Sequence, residues 1–491
     1  MADLDGLQLV EAKITGIWPL KSQAKAWTEA AKWAAFREAD PEKIRPRDWD
    51  VTRPYIVDPL AGRISETWAD LIHGEEPNIE PANEADADRL LEVIEGNDYS
   101  SGLQGAEDIC SSEGSTWWRI LCDPETADHP LIEWHSRMMV IPIFRGKALR
   151  AVAFWSELPK DPNTEETYRV FEIHADGVVR NLLFRGSRSS VGTKVNLTDH
   201  PDTADIPEDD WMHGLPMLAG KILNRTGPKR TEGASDYKRV EGLLYALNEA
   251  VTIGSENARL TLKQRVAVPS KYLDPVTQKF PAGAEVLISQ SVDQNPDTPD
   301  SDRMAQIEWS FDADAWTAWH DKLTDLILTR TRVAPQLMGR SAGNSPESGT
   351  ALRSRILDSV MAANGKARAW DTEIPRQLSL VARVDAMPVE QGGFGATWTD
   401  AESPPTFERA STLPEDAGEE TERVVLEVSA EILSRRSAIE ERHPDWTDER
   451  VKEELKRIAD EREAAMPETF TSFGTDDHDH SGGAVEEPAD A

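Results

Sequence analysis

The chain has 491 residues, 39% of them apolar and 29% charged, with a formal net charge of −35. That length leaves room for two to four domains with their own cores, and the lack of any run of 18 apolar residues argues against a membrane span. The charge argues against wrapping nucleic acid, since tight phosphate binding needs clustered Lys and Arg, but it is compatible with a lining that repels DNA and lets it slide.

The opening MADLDGLQLVEA has no basic stretch ahead of an apolar one, so a signal peptide is not expected. Residues 1–75 are predicted helical. AKAWTEAAKWAAFREAD places Trp27, Ala31, Ala34 and Ala35 on one face before Asp40-Pro41 ends the run, and LAGRISETWADLIHG stops at Gly74. NEADADRLLEVIEGN adds a helix with Asn83 as its cap and Gly96 at its end. From Ser115 to Arg185 the period changes to two. STWWRILC, LIEWHSRMMVIPIF and LRAVAFW are predicted strands, and YRVFEIH-ADG-VVRNLLFR is predicted to form a hairpin at Asp176-Gly177. Residues 186–234, rich in Asp, Pro, Gly, Thr and Ser, are predicted to be loops. Cys110 and Cys122 make no disulfide framework, which fits a reducing compartment.

The stretch from Gly233 to Ala386 is the most informative. Val240, Leu243, Leu244, Leu247 and Val251 make one helical stripe, and Trp316, Trp319, Leu323, Leu326 and Ile327 make another. Between them RVAVPSKYLDPVTQKFPAGAEVLISQ alternates over short runs with Asp-Pro and Pro-Ala-Gly turns, as a small β module would. A Gly/Ser/Pro loop over 335–349 follows, then a helix over about 350–386 that Pro375 is expected to kink. Two narrow stripes of this kind would pack on each other or on a neighbour's pair.

The segments GASDYKRVEGLLYALNEAV, ESGTALRSRILDSVMAANGKARAWDTEIPRQL and AEILSRRSAIEERHPDWTDERVKEELKRIADE resemble, in this order, the portal proteins of tailed double-stranded DNA bacteriophages, the siphophage type above all. The resemblance implies an α+β fold: a portal-like protomer with a mixed α/β wing, a two-helix stem, a small β-rich clip between the stem helices, a long kinked helix and a helical crown. On this sequence it implies an N-terminal segment over 1–50, wing over 51–235, stem helices over 236–262 and 312–334, and clip over 263–311. A tunnel loop would occupy 335–348, the long wing helix 349–386, a return strand 387–413, the crown 414–466 and a disordered acidic tail 467–491.

The function so implied is a non-enzymatic ring, typically of twelve copies, at one capsid vertex of a virion. Its implied partners are double-stranded DNA in the channel, terminase, the major capsid and scaffolding proteins, and head–tail connector proteins, with no membrane and no cofactor. Met338, Gly339, Arg340, Ser341 and Asn344 match the tunnel-loop region, and Lys263 and Arg265 the stem–clip junction. Arg340, Lys263 and Arg265 are the candidates for phosphate contact, and each could equally be solvated or ion-paired.

Other chemical signals point elsewhere or nowhere. His478 and His480 beside Asp476, Asp477 and Asp479 have the residue types of a divalent-metal site, but nothing around them would hold ligands in place. Gly214-Leu-Pro-Met-Leu-Ala-Gly220-Lys221 has one residue too many for a phosphate loop, and Ile222 stands where Ser or Thr must reach magnesium. Ser437-Ala-Ile-Glu440 is a predicted capping box, and Thr447 is predicted to cap a helix opened by Asp448 and Glu449.

Overall fold

The computed structural model describes residues 2–50, 53–124, 126–159, 166–224, 231–261, 265–267, 305–307, 311–340, 349–410, 417–430, 432–443 and 446–464. The chain divides into a body, Met1–Leu413, and a C-terminal unit, Pro414–Ala491.

In the body, α1 (Leu4–Glu11), α2 (Ala24–Arg37), α3 (Pro41–Ile44) and α4 (Leu60–His73) come first. Then follow β1 (Asn78–Glu80), α5 (Ala87–Gly96) and α6 (Tyr99–Glu113). The β-rich part contains β2 (Ser115–Leu121), β3 (Leu131–Ser136), β4 (Val140–Arg145), β5 (Ala148–Glu157), β6 (Thr167–Ala175), β7 (Val178–Ser187), β8 (Ser190–Val195) and β9 (Ala219–Leu223). After it come α7 (Glu241–Thr261), β10 (Arg265–Ala267), β11 (Ala305–Ile307), α8 (Ala313–Thr331), α9 (Gly349–Asp385) and β12 (Thr406–Glu408).

Strands β4 to β8 form an antiparallel meander, and its β6–β7 hairpin turns at Asp176-Gly177, where Gly177 takes a φ of 79°. A second sheet has the order β3-β2-β9. The stretch LIEWHSRMMVIPIF serves both sheets, because a 3-10 turn at Arg137–Met139 breaks it into β3 and β4. Two strands, β8 and β9, lie within 186–234, where only loops were expected. Both gain their backbone partners from distant or adjacent strands rather than from their own composition: β9 pairs with β2, Ile222 opposite Thr116. Gly220 and Lys221 are therefore strand residues, not a loop that opens a helix.

The N-terminal segment belongs to the five-stranded sheet. Leu7, Val10, Ile14, Trp18 and Trp27 share one core with Ile141, Ala153, Phe171, Ile173 and Leu182. Asp3 N donates to Asp176 O at 2.7 Å, and the Arg169 guanidinium lies 4.5 Å from the Trp18 ring. On α2, Trp27, Ala34 and Ala35 are buried as expected, but Ala31 faces solvent and Ala30 takes the inner position.

The largest core is helical. It joins Ile64 and Trp68 of α4, Leu103 and Cys110 of α6, Leu244 and Leu247 of α7, Ile327 of α8, and Trp370 and Ile374 of α9. Helix α9 has 37 residues, about 56 Å at 1.5 Å each, and Pro375 lies inside it without ending it. Strand β12 then returns to pair with β1, Phe407 opposite Ile79.

The C-terminal unit contains α10 (Ala417–Ser429), α11 (Arg435–Arg442) and α12 (Asp448–Ala464). Helix α11 is capped three residues ahead of the predicted capping residue Ser437, since Ser434 Oγ accepts from Ser437 N at 3.0 Å.

Candidate functional site

Of the residues singled out at the sequence level, Arg265, Met338, Gly339 and Arg340 are described, and they belong to the strand that leaves the α7–α8 pair and to the turn after it. Trp316, early in α8, packs on Gly254, late in α7, and donates from Nε1 to Ala250 O at 2.8 Å. Helix α8 also touches the Asp236–Arg239 turn that precedes α7, so the two helices run antiparallel. At Gly254 a Cβ would collide with the indole, which explains a glycine inside a helix at this point.

Both stripes turn inward. Val240, Leu244, Leu247, Leu323 and Ile327 are buried in the large core, so much of each stripe finds its partner within the chain. Trp319 departs from the pattern and is 54% exposed. Two polar residues of α7 hold a neighbouring segment: Asn248 Oδ1 accepts from Asp58 N, and Thr252 Oγ1 accepts from Ile56 N, both at 2.9 Å.

The chain leaves α7 through β10 and returns to α8 through β11, which pair antiparallel with Arg265 opposite Ile307. Lys263 and residues 268–304 lie outside the described residues, as does most of the segment expected to be the clip.

Helix α8 ends at Arg332 with a φ of 65°. Arg332 forks onto Asp358 of α9, and Ser359 Oγ both accepts from Ala334 N at 2.9 Å and donates to Arg332 O at 2.8 Å. The Asp358 hydrogen bond holds the Arg332 pKa above its ordinary value, and Arg332 in turn holds the Asp358 carboxyl below its own. The exit of α8 is thereby clamped to the side of α9.

A 3-10 turn, Pro335–Met338, follows. The Met338 side chain is buried, its carbonyl accepts from Arg63 Nη2 at 3.1 Å, and Gly339 turns the chain at a φ of 73°. Arg340 folds back on α8, with Nη2 2.8 Å from Asp321 Oδ1 and 3.9 Å from Asp325 Oδ1. A phosphate at Arg340 would share the guanidinium with Asp321, which occupies Nη2 alone. Ser341 and Asn344 lie outside the described residues.

One buried cluster fixes the base of α7, and sequence reasoning missed it. Lys366 of α9 reaches Asp236 at 2.7 Å and Glu107 of α6 at 2.9 Å. Ser111 Oγ donates to Asp236 at 2.7 Å and Trp370 Nε1 to Glu107 at 2.9 Å. Burial works against the Lys366 charge, but Asp236 and Glu107 outweigh it and raise its pKa. Burial also pushes the Glu107 carboxyl up, despite Lys366. No local pattern marks these residues, because each comes from a different element.

By sequence the helix pair carries more carboxylates than cations, and Lys32, Arg53 and Arg340 of other segments pair with Glu241, Glu256 and Asp321. Glu241, Glu249, Glu256, Asp314, Asp321 and Asp325 stand against Arg259, Lys322 and Arg330. A cleft of about 190 Å³ lies beside the turn, lined in part by Arg63, His320, Met338 and Arg340. Its polar side chains are already engaged: Arg63 with Met338 O, His320 with Asp58 at 3.2 Å, and Arg340 with Asp321. A larger cleft, about 390 Å³, holds Arg180 and Lys194. There Arg180 is paired with Asp210 and Glu11, and Lys194 with Glu11. Among the described residues no three His, Cys, Asp or Glu side chains gather as a metal site, and no helix is long and apolar enough to cross a membrane.

Compared with known proteins, the chain matches no family model and no curated protein sequence. Among solved structures it is similar to a chain of the neck of the native gene transfer agent particle, computed with C12 symmetry. That match has 13% identity and a TM-score of 0.37, and covers 78% of this chain and 88% of that one. A chain of the virion of the native gene transfer agent particle is similar at 12% identity and a TM-score of 0.39, covering 88% of this chain and 97% of that one. A likeness this slight assigns no role.

Proposed function

We propose that this chain is the subunit of a portal-type ring that forms a DNA conduit at one capsid vertex, without catalytic activity of its own. The observation that carries the reading is the order within one body. An antiparallel helix pair carries an excursion over 268–304 that leaves and returns at one point, through β10 and β11. A 3-10 turn, the segment 341–348 and the 37-residue α9 then follow in sequence. A module held this way can be presented at the tip of a helix hairpin while the hairpin stays anchored in the core.

The electrostatics support passage rather than grip. A helix pair whose neighbouring cations, Lys32, Arg53 and Arg340, are already paired with its carboxylates offers few charges to displace counterions from DNA. In this reading terminase drives the DNA and docks on the excursion, head–tail connector proteins seal it afterwards, and capsid and scaffolding proteins meet the outer body. The test replaces 268–304 by a short Gly/Ser link, which loop-closure entropy tolerates since it changes slowly with length. The body should stay folded and terminase recruitment should be lost; normal DNA packaging by this variant would contradict the reading.

A further inference from the structure

The Lys221 ammonium is buried against two aromatic rings. Lys221 sits in β9 directly opposite Trp117 of β2, with Nζ 4.0 Å from the centroid of the Phe144 ring and 5.9 Å from that of Trp117. Among the described residues Nζ has no hydrogen-bond partner, and neither has Nε1 of Trp117, a side chain 1% exposed. Both orphaned groups are donors, so neither satisfies the other. The rings attract a cation weakly, well short of the hydration that a buried ammonium gives up. The surroundings add positive charge. Arg137 stands over the same indole at 5.9 Å and spends Nη1 on Val140 O and Nη2 on Gln23 Oε1, neither of them a carboxylate. Glu373 of α9 favours the ammonium, but Arg376 Nη1 already holds its carboxylate at 2.6 Å. His135, opposite Trp117 on β3, is engaged by Glu133 at 3.1 Å. Burial lowers the Lys221 pKa to about 8, with Arg137 adding to the shift and Glu373 opposing it, so free amine is present near neutral pH.

We propose that Lys221 is a modification site for carbon dioxide, and that the resulting carbamate accepts from Trp117 Nε1 and faces the Arg137 guanidinium. The Nζ lone pair of the free amine attacks the carbon of CO2. A C–N bond forms, one C=O electron pair moves onto oxygen, and the nitrogen releases one proton to solvent. The product replaces an unpaired donor by a carboxylate whose oxygens accept. It also turns a surplus cation into an anion beside Arg137, so the local charges balance. A small uncharged electrophile can enter this site, whereas a charged acyl donor would have to be desolvated to reach a buried amine. Nothing in this chemistry depends on ring assembly.

Carbon-13 NMR of the full chain in labelled bicarbonate, near the pKa of Lys221, tests this. Lys221→Met fills the same space and Lys221→Arg keeps the charge. The parent should show a carbamate resonance that both variants lack, while a signal from the α-amino group would persist in all three. Trapping the carbamate by alkylation, followed by peptide mass mapping, should place it on Lys221 in the parent itself. Trp117→Phe removes the Nε1 donor and keeps a ring, and should weaken uptake about tenfold. Bicarbonate should raise the melting temperature of the parent and of neither Lys221 variant, and equal chloride should not raise it. No trapped carbamate on Lys221 at saturating bicarbonate overturns the proposal, as does uptake unchanged by Trp117→Phe. A melting shift that chloride reproduces, without the resonance, assigns the site to a bound anion and overturns it too.

Discussion

Lys366, in the middle of the longest helix, places its ammonium 2.7 Å from Asp236, in the turn that opens α7. The Lys366 side chain is 6% exposed and that of Asp236 is fully buried, with Glu107 on the other side of the ammonium. A buried charge cluster rarely stabilises more than apolar packing would, but removing one partner leaves the others uncompensated. The cluster therefore ties the register of α9 to the base of the helix pair.

Lys366→Met should cost about 3–5 kcal/mol, because two carboxylates are left buried without their cation. Chemical denaturation gives the value. Adding Glu107→Gln and Asp236→Asn to the same chain should recover most of the loss. A single variant as stable as the parent would show that the cluster is not the tie described.

The contact between Gly254 and Trp316 predicts opposite signs for two similar substitutions. Alanine gains about 1 kcal/mol over glycine inside a helix. Gly365 of α9 has open space where a Cβ would stand, so Gly365→Ala should show that gain as a higher melting temperature. At Gly254 the Cβ collides with the indole, and overpacking typically costs about 1–3 kcal/mol. Gly254→Ala should therefore melt lower and shift the Trp fluorescence. Equal shifts at both positions would contradict the packing.

Glu113 gives the stability a pH dependence. Burial pushes its carboxyl up to about 7, against the hydrogen bond from Ser136 and the charge of Arg37. A carboxyl with a raised folded pKa contributes stability that is full below its unfolded value, near 4.5, and is lost as pH rises toward 7. Over that window its contribution should fall by about 1.4 kcal/mol for each pH unit. Glu113→Gln should flatten the profile between pH 4.5 and 7 and be relatively more stable at pH 8 than at pH 5. Denaturation curves for the two proteins at each pH decide it, and a constant difference would reject the assignment.

The elements with strong periodicity were legible in the sequence. The α4, α7, α8 and α9 stretches and the hairpin at Asp176-Gly177 carry their signals locally. Helix α6, at the centre of the largest core, did not, because YSSGLQGAEDICSSE is rich in Gly and Ser and shows no clear stripe. Strand β9 was hidden for another reason: its partner β2 lies about a hundred residues upstream, and long-range pairing leaves no mark on five residues. At the candidate site the turn-forming character of Pro335, Gly339 and their neighbours was readable. The engagement of Arg340 by Asp321 was not, since it depends on how the turn folds back along α8.

The central claim is a ring. Electron microscopy of the purified full-length chain, viewed down its axis at micromolar concentration, tests it most directly. The account predicts closed rings with a central opening, twelve copies of the 54.6 kDa chain giving about 655 kDa. A uniform population of single 54.6 kDa particles under the same conditions would contradict it.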